Sequence, residues 1–583
     1  MQTYIHRKLG IAALFTLMAG SLVTAHAEFS NFPVADLSAV DSSSVSWADY
    51  DNDSRLDFLI LGTTNGSGNG SIAQLWRNTG TSFTNVPVAG LAGVMFGSAE
   101  WADYDNDGRM DFLIVGTTNG IGTGAVSQLW RNTGSGFVNV TSTVIPGLPQ
   151  ISQGAIGWGD FNNDGRVDFA FAGFSSTGKV AQIWQNTGTT FTNATATLAP
   201  ALVPAAYGSI AVADFNNDGW MDFLFTGELT SGQQASQLWQ NTGTGFVNAT
   251  SILAPNLPGV VFSSASWGDF DGDGRLDLLI SGETLIGQTT EKITQVWRNT
   301  GTGFTNVPVA NLAGFRYSAS TWGDFNNDGK LDFALTGVPT NGATSDIWLN
   351  SGITFTNANA GMPGVYSAAP KSSAIADFDN DGSLDILLTG SKSGGGRLTE
   401  LWRNFPLIAN TPPPAPSNLN ATISNGLTLL SWSAPIDTIS GTNLSFNLRV
   451  GTTAGGSDVV NPEADGVTGF RRVPALGNAQ VRTTAQLNLP PGTYYWSVQA
   501  VDESYIGGLF AEESVLVVNL PVLTIARSGT NAIVSWQPAI PGWILQETSN
   551  LNPSNWTNSP SGSTNPTTIP AVEATKFYRL FKP

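Results

Sequence analysis

"DFDGDGRLDLLISG", residues 269–282, places Asp269, Asp271, Asp273 and Asp277 within nine residues, with Gly274 among them. The same frame recurs as DYDNDSRLD from 49, DYDNDGRMD from 103, DFNNDGRVD from 160, DFNNDGWMD from 214, DFNNDGKLD from 324 and DFDNDGSLD from 377. Successive starts lie 53 to 57 residues apart, a fixed period that signals one supersecondary unit repeated along the chain. In the second unit "SAEWADY" leads into the acidic stretch, "MDFLIVGT" follows it, "VSQLWRNTG" comes after a Gly/Thr-rich turn, and "GFVNVT" closes the set. Large apolar residues alternate with small polar ones and Gly or Asn punctuates the segments, the pattern of short strands rather than helices.

Four strands per repeat make a propeller blade. The seventh unit stops after "ELWRNF" and lacks a fourth strand, whereas residues 28–40, "EFSNFPVADLSAV", match "GFTNVPVANLAGF" of an earlier unit. The N-terminal strand is therefore expected to close the last blade, because a closed ring leaves no unpaired sheet edge. The expected fold class is all-β: a seven-bladed β-propeller over 28–405, followed by two small β-sandwich-like modules.

Aspartate at loop positions 1, 5 and 9, Asp or Asn at 3 and Gly at 6 set oxygen donors around a tight turn. Calcium takes ~6–8 oxygen ligands in flexible geometry, which suits such a loop better than magnesium with its smaller octahedral shell. The expected metal ligands are Asp49, Asp51, Asp53 and Asp57 in the first loop, and Asp103, Asp105, Asp107 and Asp111 in the second. Asp160, Asn162, Asp164 and Asp168 form the third set, and Asp214, Asn216, Asp218 and Asp222 the fourth. Asp269, Asp271, Asp273 and Asp277 follow, then Asp324, Asn326, Asp328 and Asp332, and last Asp377, Asp379, Asp381 and Asp385, for up to seven Ca2+. Uncompensated, each loop would hold three or four carboxylates in mutual repulsion. Ser54 replaces the loop glycine in the first repeat, where a left-handed backbone is expected, so that site should be the weakest by ~1 kcal/mol.

Composition removes much chemistry. Residues 1–27 place Arg7 and Lys8 before an apolar run that ends in Ala25-His26-Ala27, the layout of a secretory signal peptide. Without that segment the net charge moves from -19 to -21, and both histidines, His6 and His26, are gone; the chain has no cysteine. A Ser-His-Asp or Cys-His mechanism, a typical zinc site and a disulfide framework are excluded. Strong negative charge argues against nucleic acid and anionic lipid, and no later stretch is long and apolar enough for membrane insertion.

"MFGSAEWADYDNDGRMDFLIVG" and "AYGSIAVADFNNDGWMDFLFTG" resemble FG-GAP repeats of the VCBS group, the blade unit of integrin α-subunit propellers and of many secreted bacterial proteins. The resemblance covers roughly 28–405 and implies Ca2+ in the loop between the first two strands of each blade. It implies no particular activity, since members include adhesins, lectins and domains attached to lyases.

"FPLIANTPPPAPSNL" contains a proline-rich linker, 406–416, of the semi-rigid kind. Residues 417–518, with Trp432 and "PPGTYYWSVQAVD", resemble a fibronectin type III domain, and 519–583 read as a small β-module.

Phe96, Tyr207, Phe262 and Tyr317 stand seven residues before the first loop aspartate of their units, with Tyr366 near that place in the last. They are the candidate ligand-binding residues, as stacking platforms around the axial opening; the alternative is packing between inner strands. The "LW" tryptophans recur in every unit and are assigned to the core, and Arg55, Arg109, Arg166 and Arg275 at loop position 7 are expected to be solvated.

The leading functional expectation is a secreted, extracellular or cell-surface binding or adhesion module for a protein or glycan, with no catalytic residues. The alternatives are a carbohydrate-active enzyme, such as a calcium-dependent polysaccharide lyase with Lys or Tyr as base, or a purely structural envelope protein; Glu283 and Glu291 could form an acid/base pair, but solvated hairpin charges are the preferred reading.

Overall fold

The structure, a computed structural model, describes residues 28–582 apart from 121, 287–288, 370, 425–426, 538, 540–541, 552–554 and 572–574. The expected signal peptide at 1–27 lies outside the described residues. The chain folds into β-structure almost throughout, as an array of repeated antiparallel sheets of the propeller-blade type.

The second repeat shows the plan. Met95–Ala102 is the inner strand; Asp111–Thr117, Ala125–Asn132 and Phe137–Asn139 follow outward in order. The middle strand Asp111–Thr117 is buried along its whole length, because both of its faces pack against neighbouring sheets. Phe112 stacks on Trp130, and the same pairing joins Phe58 to Trp76, Phe169 to Trp184, Phe223 to Trp239 and Phe333 to Trp348. These tryptophans are core residues. Single helical turns, Thr141–Val144, Thr195–Leu198 and Thr250–Leu253, follow the fourth strands of three repeats where strands alone had been expected.

Phe29–Phe32 pairs antiparallel with Arg397–Asn404, in register from Phe29 opposite Asn404 to Phe32 opposite Leu401, and so supplies the outer strand of the last repeat's sheet. The first repeat's inner strand Asp41–Ala48 packs both on Met95–Ala102 and on Ser373–Ala376 of the last repeat.

Two sets of asparagines bond sheet to sheet. The Asn that ends each third strand donates its side-chain amide to the carbonyl of loop position 2 in the preceding repeat: Asn132 to Tyr50, Asn186 to Tyr104, Asn241 to Phe161, Asn299 to Phe215, Asn350 to Phe270 and Asn404 to Phe325. Asn78 of the first repeat donates to Phe378 O of the last at 2.7 Å, which brings the series back to its start. The Asn at loop position 4 points the other way, Asn52 to Gly108 O, Asn106 to Gly165 O, Asn163 to Gly219 O, Asn217 to Gly274 O, Asn327 to Gly382 O and Asn380 to Ser54 O. Gly272 holds that position in the fifth loop and has no side chain to give.

Residues 417–518 form two three-stranded sheets packed around Leu430, Trp432, Phe446, Trp496 and Val498. Tyr494 Oη donates to Pro490 O at 2.8 Å, a tyrosine corner. A small pair of three-stranded sheets built from Val522 to Phe581 completes the chain around Val534, Trp536 and Leu545.

Asn78→Ala removes the amide that spans the first and last repeats and strands two buried carbonyls, those of Phe378 and Leu56. We expect a loss of about 1–3 kcal/mol, read in urea melts. Gly272 is already left-handed, φ +69°, and its added Cβ would meet only Asn443 at 3.9 Å. Gly272→Asn should therefore restore the missing link and raise Tm; an unchanged or lower Tm would show that these links carry no stability.

Candidate functional site

Each acidic loop is wound around its first aspartate. Asp103 Oδ1 accepts from Asp107 N at 3.0 Å and Oδ2 from Gly108 N at 2.6 Å, and Asp269 repeats this with Asp273 N and Gly274 N. Position 6 must be left-handed for that N–H to point inward: φ is +83° at Gly108, +80° at Gly274 and +63° at Ser54, where the side chain resists it. Asparagine at position 4 is left-handed too, +59° at Asn52 and +55° at Asn106, a conformation Asn tolerates.

The ninth-position aspartates are fully buried. Asp57, Asp168, Asp222, Asp277, Asp332 and Asp385 each accept one backbone N–H from loop position 2 and another from the asparagine ending the third strand, as in Asp277 from Phe270 and from Asn299. Asp111 accepts the Asn132 N–H at 2.6 Å, but its Oδ2 is buried with no partner. Asp51 Oδ1, Asp105 Oδ1 and Asp379 Oδ1 are likewise buried and unpartnered.

Carboxylate oxygens converge within 4.8 Å of one another in four loops: Asp49, Asp51 and Asp53; Asp103, Asp105 and Asp111; Asp269, Asp271 and Asp273; Asp377, Asp379 and Asp385. Hard oxygen donors, several of them orphaned, fit a calcium ion, and these residues would hold it. In the third, fourth and sixth loops position 3 is Asn; among the described residues these loops form no such cluster, and Asn162 and Asn216 donate instead to Asp164 and Asp218.

Burial drives the loop carboxyls upward. Asp111 is pushed up to about 9 by burial, reinforced by the Asp105 and Asp103 charges and only partly offset by the Asn132 N–H. Asp57 and Asp277 rise to about 8 for the same reason, and Asp103 to about 7.

Arginines answer the extra charge in a patterned way. Where position 3 is Asp, the residue before the third-strand Asn is Arg, and its Nε meets that carboxylate: Arg77 to Asp51 and Arg131 to Asp105 at 2.6 Å, Arg298 to Asp271 at 2.5 Å, Arg403 to Asp379 at 2.6 Å. Where position 3 is Asn, the residue is Gln185, Gln240 or Leu349. Four carboxylates with one guanidinium and three carboxylates without one carry the same net charge. The position 7 arginines, expected to be solvated, instead turn back: Arg55, Arg109, Arg166 and Arg275 each pair with the position 5 aspartate, and Arg109 Nε donates to Asn132 O.

The acidic face is covered by the second module, a docking with no signal in the sequence. Asn461 Nδ2 donates to Asp103 Oδ2 at 2.6 Å, and Arg482 Nε pairs with Asp214 Oδ2 at 2.8 Å. Asp49 N donates to Arg472 O, Asp214 N to Gln480 Oε1 and Asp324 N to Glu503 O; Tyr505 Oη reaches Trp322 O. Proline-rich residues join in, since Asn327 donates to Ile408 O. Beneath the cover lies an axial cavity of about 550 Å3, walled by Trp47, Trp101, Trp158 and Trp267.

At the opposite end of the inner strands stand the sequence-predicted aromatics. Phe96, Tyr207, Phe262 and Tyr317 have φ of +51°, +63°, +48° and +49°, and Ser42 and Gln153 share the conformation at the same place in their repeats. Bulky residues rarely adopt it; here register shifts such as that between Met95 and Ser98 impose it. Tyr207 N bonds to Gln153 O and Phe262 N to Tyr207 O, linking neighbouring bulges. Tyr207, Phe262, Tyr317 and Tyr366 follow one another in T-shaped and tilted contacts with ring centroids 5.4, 4.7 and 6.2 Å apart, forming half a collar of half-buried rings. Phe96 stands apart from that run.

Glu283 and Glu291 do not form an acid/base pair. Glu283 lies opposite Lys292 and binds Arg316 at 3.2 Å, whereas Glu291 lies opposite Thr284, so the two carboxylates face opposite sides of the hairpin.

The sequence matches the FG-GAP-like repeat family at residues 49–114, 103–171, 160–225, 228–280 and 324–388. Together these segments span just over half of the chain, which belongs to this family of all-β repeat proteins. No curated protein sequence matches it. Among solved structures, the extracellular domain of the hybrid two component system BT3049 from B. thetaiotaomicron aligns at 10% identity and TM-score 0.38, over 85% of this chain and 58% of that one. A mutant of AofleA from Arthrobotrys oligospora aligns at 14% identity and TM-score 0.33, over 57% of this chain and 90% of that one. The chicken interferon gamma receptor alpha chain aligns at 16% identity and TM-score 0.15, over 29% and 82%. Among the described residues no helix is long and apolar enough to cross a membrane.

Arg131→Gln should lower the melting temperature in EGTA, since Asp105 loses its counter-charge, while steepening the rise in Tm on adding calcium. The double variant Asp105→Asn/Arg131→Gln, which copies the third repeat, should return to wild type with a coupling of about 0.5–1 kcal/mol; additive losses would reject charge matching.

The raised carboxyls also set a pH dependence. A group whose folded pKa lies above its unfolded value contributes stability at low pH that is lost as pH rises through the folded pKa. In EGTA, Tm should thus fall as pH rises toward about 9, the loss being complete once Asp103 (about 7), Asp57 (about 8) and Asp111 (about 9) have ionised. In millimolar calcium the fall should vanish or reverse, because the ligating form is the ionised one. Parallel curves in the two buffers, from differential scanning fluorimetry, would exclude these carboxylates as cation ligands.

Proposed function

We propose that the protein is an exported, extracellular or cell-surface binding module: a closed seven-bladed propeller stabilised by calcium in its acidic loops, which engages a protein or carbohydrate ligand at its axial mouth and performs no chemistry. The calcium neutralises the loops and holds their turns. The observation that carries the reading is the half-collar Tyr207, Phe262, Tyr317 and Tyr366, the first three set on strained backbone, at the end of the inner strands that the second module leaves uncovered. Backbone strain of about 1–3 kcal/mol per residue persists where the surroundings over-determine it, and such residues cluster at ligand sites. Aromatic faces held half-exposed suit stacking against a pyranose or an apolar side chain.

Screening the exported chain on glycan and matrix-protein arrays in millimolar calcium tests this. Binding is expected to fall at least ten-fold in Tyr207→Ala and in Tyr317→Ala, with the calcium-dependent Tm retained. Full binding by both variants would move the ligand site away from the mouth and defeat the reading.

A further inference from the structure

Beside Tyr317 and Tyr366, on the same uncovered end, lies a second cavity of about 570 Å3, within the usual range for small-ligand sites. Its charge is opposite to that of the chain. Arg316, Lys392 and Arg397 line it with Asp41 as the single carboxylate, on a chain of net charge -19. Elsewhere in the repeats most cations are absorbed by the acidic loops.

The cations are held in place. Arg316 Nη1 pairs with Glu283 at 3.2 Å and its guanidinium lies 5.2 Å from the Tyr317 ring centre, while its Nε is buried without a partner. Arg397 Nε pairs with Asp41 at 2.8 Å. Lys392 is exposed and makes no ion pair among the described residues. Fixed guanidinium groups lose little freedom on meeting a carboxylate, and they meet it with planar, directed N–H groups.

The cavity's rim is bare backbone. Gly394, Gly395 and Gly396 turn the hairpin with φ of +88°, +97° and +90°, and a Cβ at Gly394 or Gly395 would touch nothing within 4 Å. An extended polymer can therefore cross the rim without meeting a side chain.

We propose that this cavity binds a carboxylate-bearing pyranose unit of an acidic polysaccharide, its ring against the tyrosine pair and its carboxylate facing Arg316, Lys392 and Arg397. The assignment rests on the mouth being the ligand face and adds the class of ligand. An aromatic surface alone would take a neutral sugar or an apolar side chain; the net positive charge left after Glu283 and Asp41 are paired, centred on Lys392, selects the anion, and the glycine rim selects a chain that continues past the site.

The test is calorimetric titration of the whole exported chain, in saturating calcium, with a galacturonate hexamer and with its carboxyl-reduced neutral counterpart. The acidic oligomer should bind at least ten-fold tighter, weakening as salt is raised. Lys392→Glu, a change at an exposed position, should cut that binding at least ten-fold without moving Tm, and Tyr366→Ala should abolish it. Equal affinity for both oligomers, or an unaffected Lys392→Glu, overturns the acidic class while leaving the mouth as a ligand site, provided Tyr366→Ala still loses binding. Acidic-oligomer binding that survives Tyr366→Ala overturns both. No binding of either oligomer overturns the polysaccharide assignment, and the array screen then decides the mouth separately.

Discussion

The bond on which the architecture turns is that between the ninth-position aspartate and the asparagine ending the third strand. Asp277, fully buried, takes the Asn299 N–H at 2.7 Å and the Phe270 N–H at 3.1 Å, so one carboxylate ties the acidic loop to the strand two places further out. Asn299 then donates its side chain to Leu276 O and to Phe215 O of the preceding repeat. Loop shape, sheet order and the spacing between sheets are set by one bonded unit. Buried polar groups of this kind have little freedom to relax, because each N–H that loses its acceptor bears a full desolvation cost.

That unit explains why charge could accumulate here. An aspartate required as an acceptor at position 9, and another required at position 1 to hold the N–H groups of positions 5 and 6, already place two carboxylates in one turn. A third at position 5 and a fourth at position 3 add further mutual repulsion, and the chain meets the fourth with Arg77, Arg131, Arg298 and Arg403 only where it is present. Structural hydrogen bonding and cation affinity are thus two consequences of the same side chains. The third-strand arginine thus offsets the position 3 aspartate wherever that aspartate is present.

The sequence made the repeats, strands and donor oxygens legible because each has a period: two along a strand, nine within a loop, about 55 between loops. The buried tryptophans were legible for the same reason. The asparagine at the third-strand end recurs in all seven repeats and the one at loop position 4 in all but the fifth, where Gly272 stands, and asking why Asn132 never varies in type would have led to the links between sheets. Position-7 arginines misled, since a long charged side chain in a loop reads as solvated until its neighbours are known. Glu283 and Glu291, close in sequence and preferred as hairpin charges, are set on opposite faces by strand alternation. Docking of the second module had no signature at all: Asn461, Glu463, Gln480 and Arg482 sit in an irregular stretch whose contacts are made once each.

Docking also changes what the acidic face is for. A ring of first-position aspartates whose backbone N–H groups point outward would be an obvious surface for a partner. In this chain the partner is its own second module, which supplies Arg472 O, Glu463, Gln480 and Glu503 O to the N–H groups of Asp49, Asp103, Asp214 and Asp324. Arg471, nearly fully buried there, is held down to about 10 by that burial, with Glu463 as its counter-charge. An interface that buries charges is stable only while both sides stay together, so the loops and the cover act as one body. The face that remains is the mouth, where strain, aromatic rings and the uncommitted Lys392 are gathered.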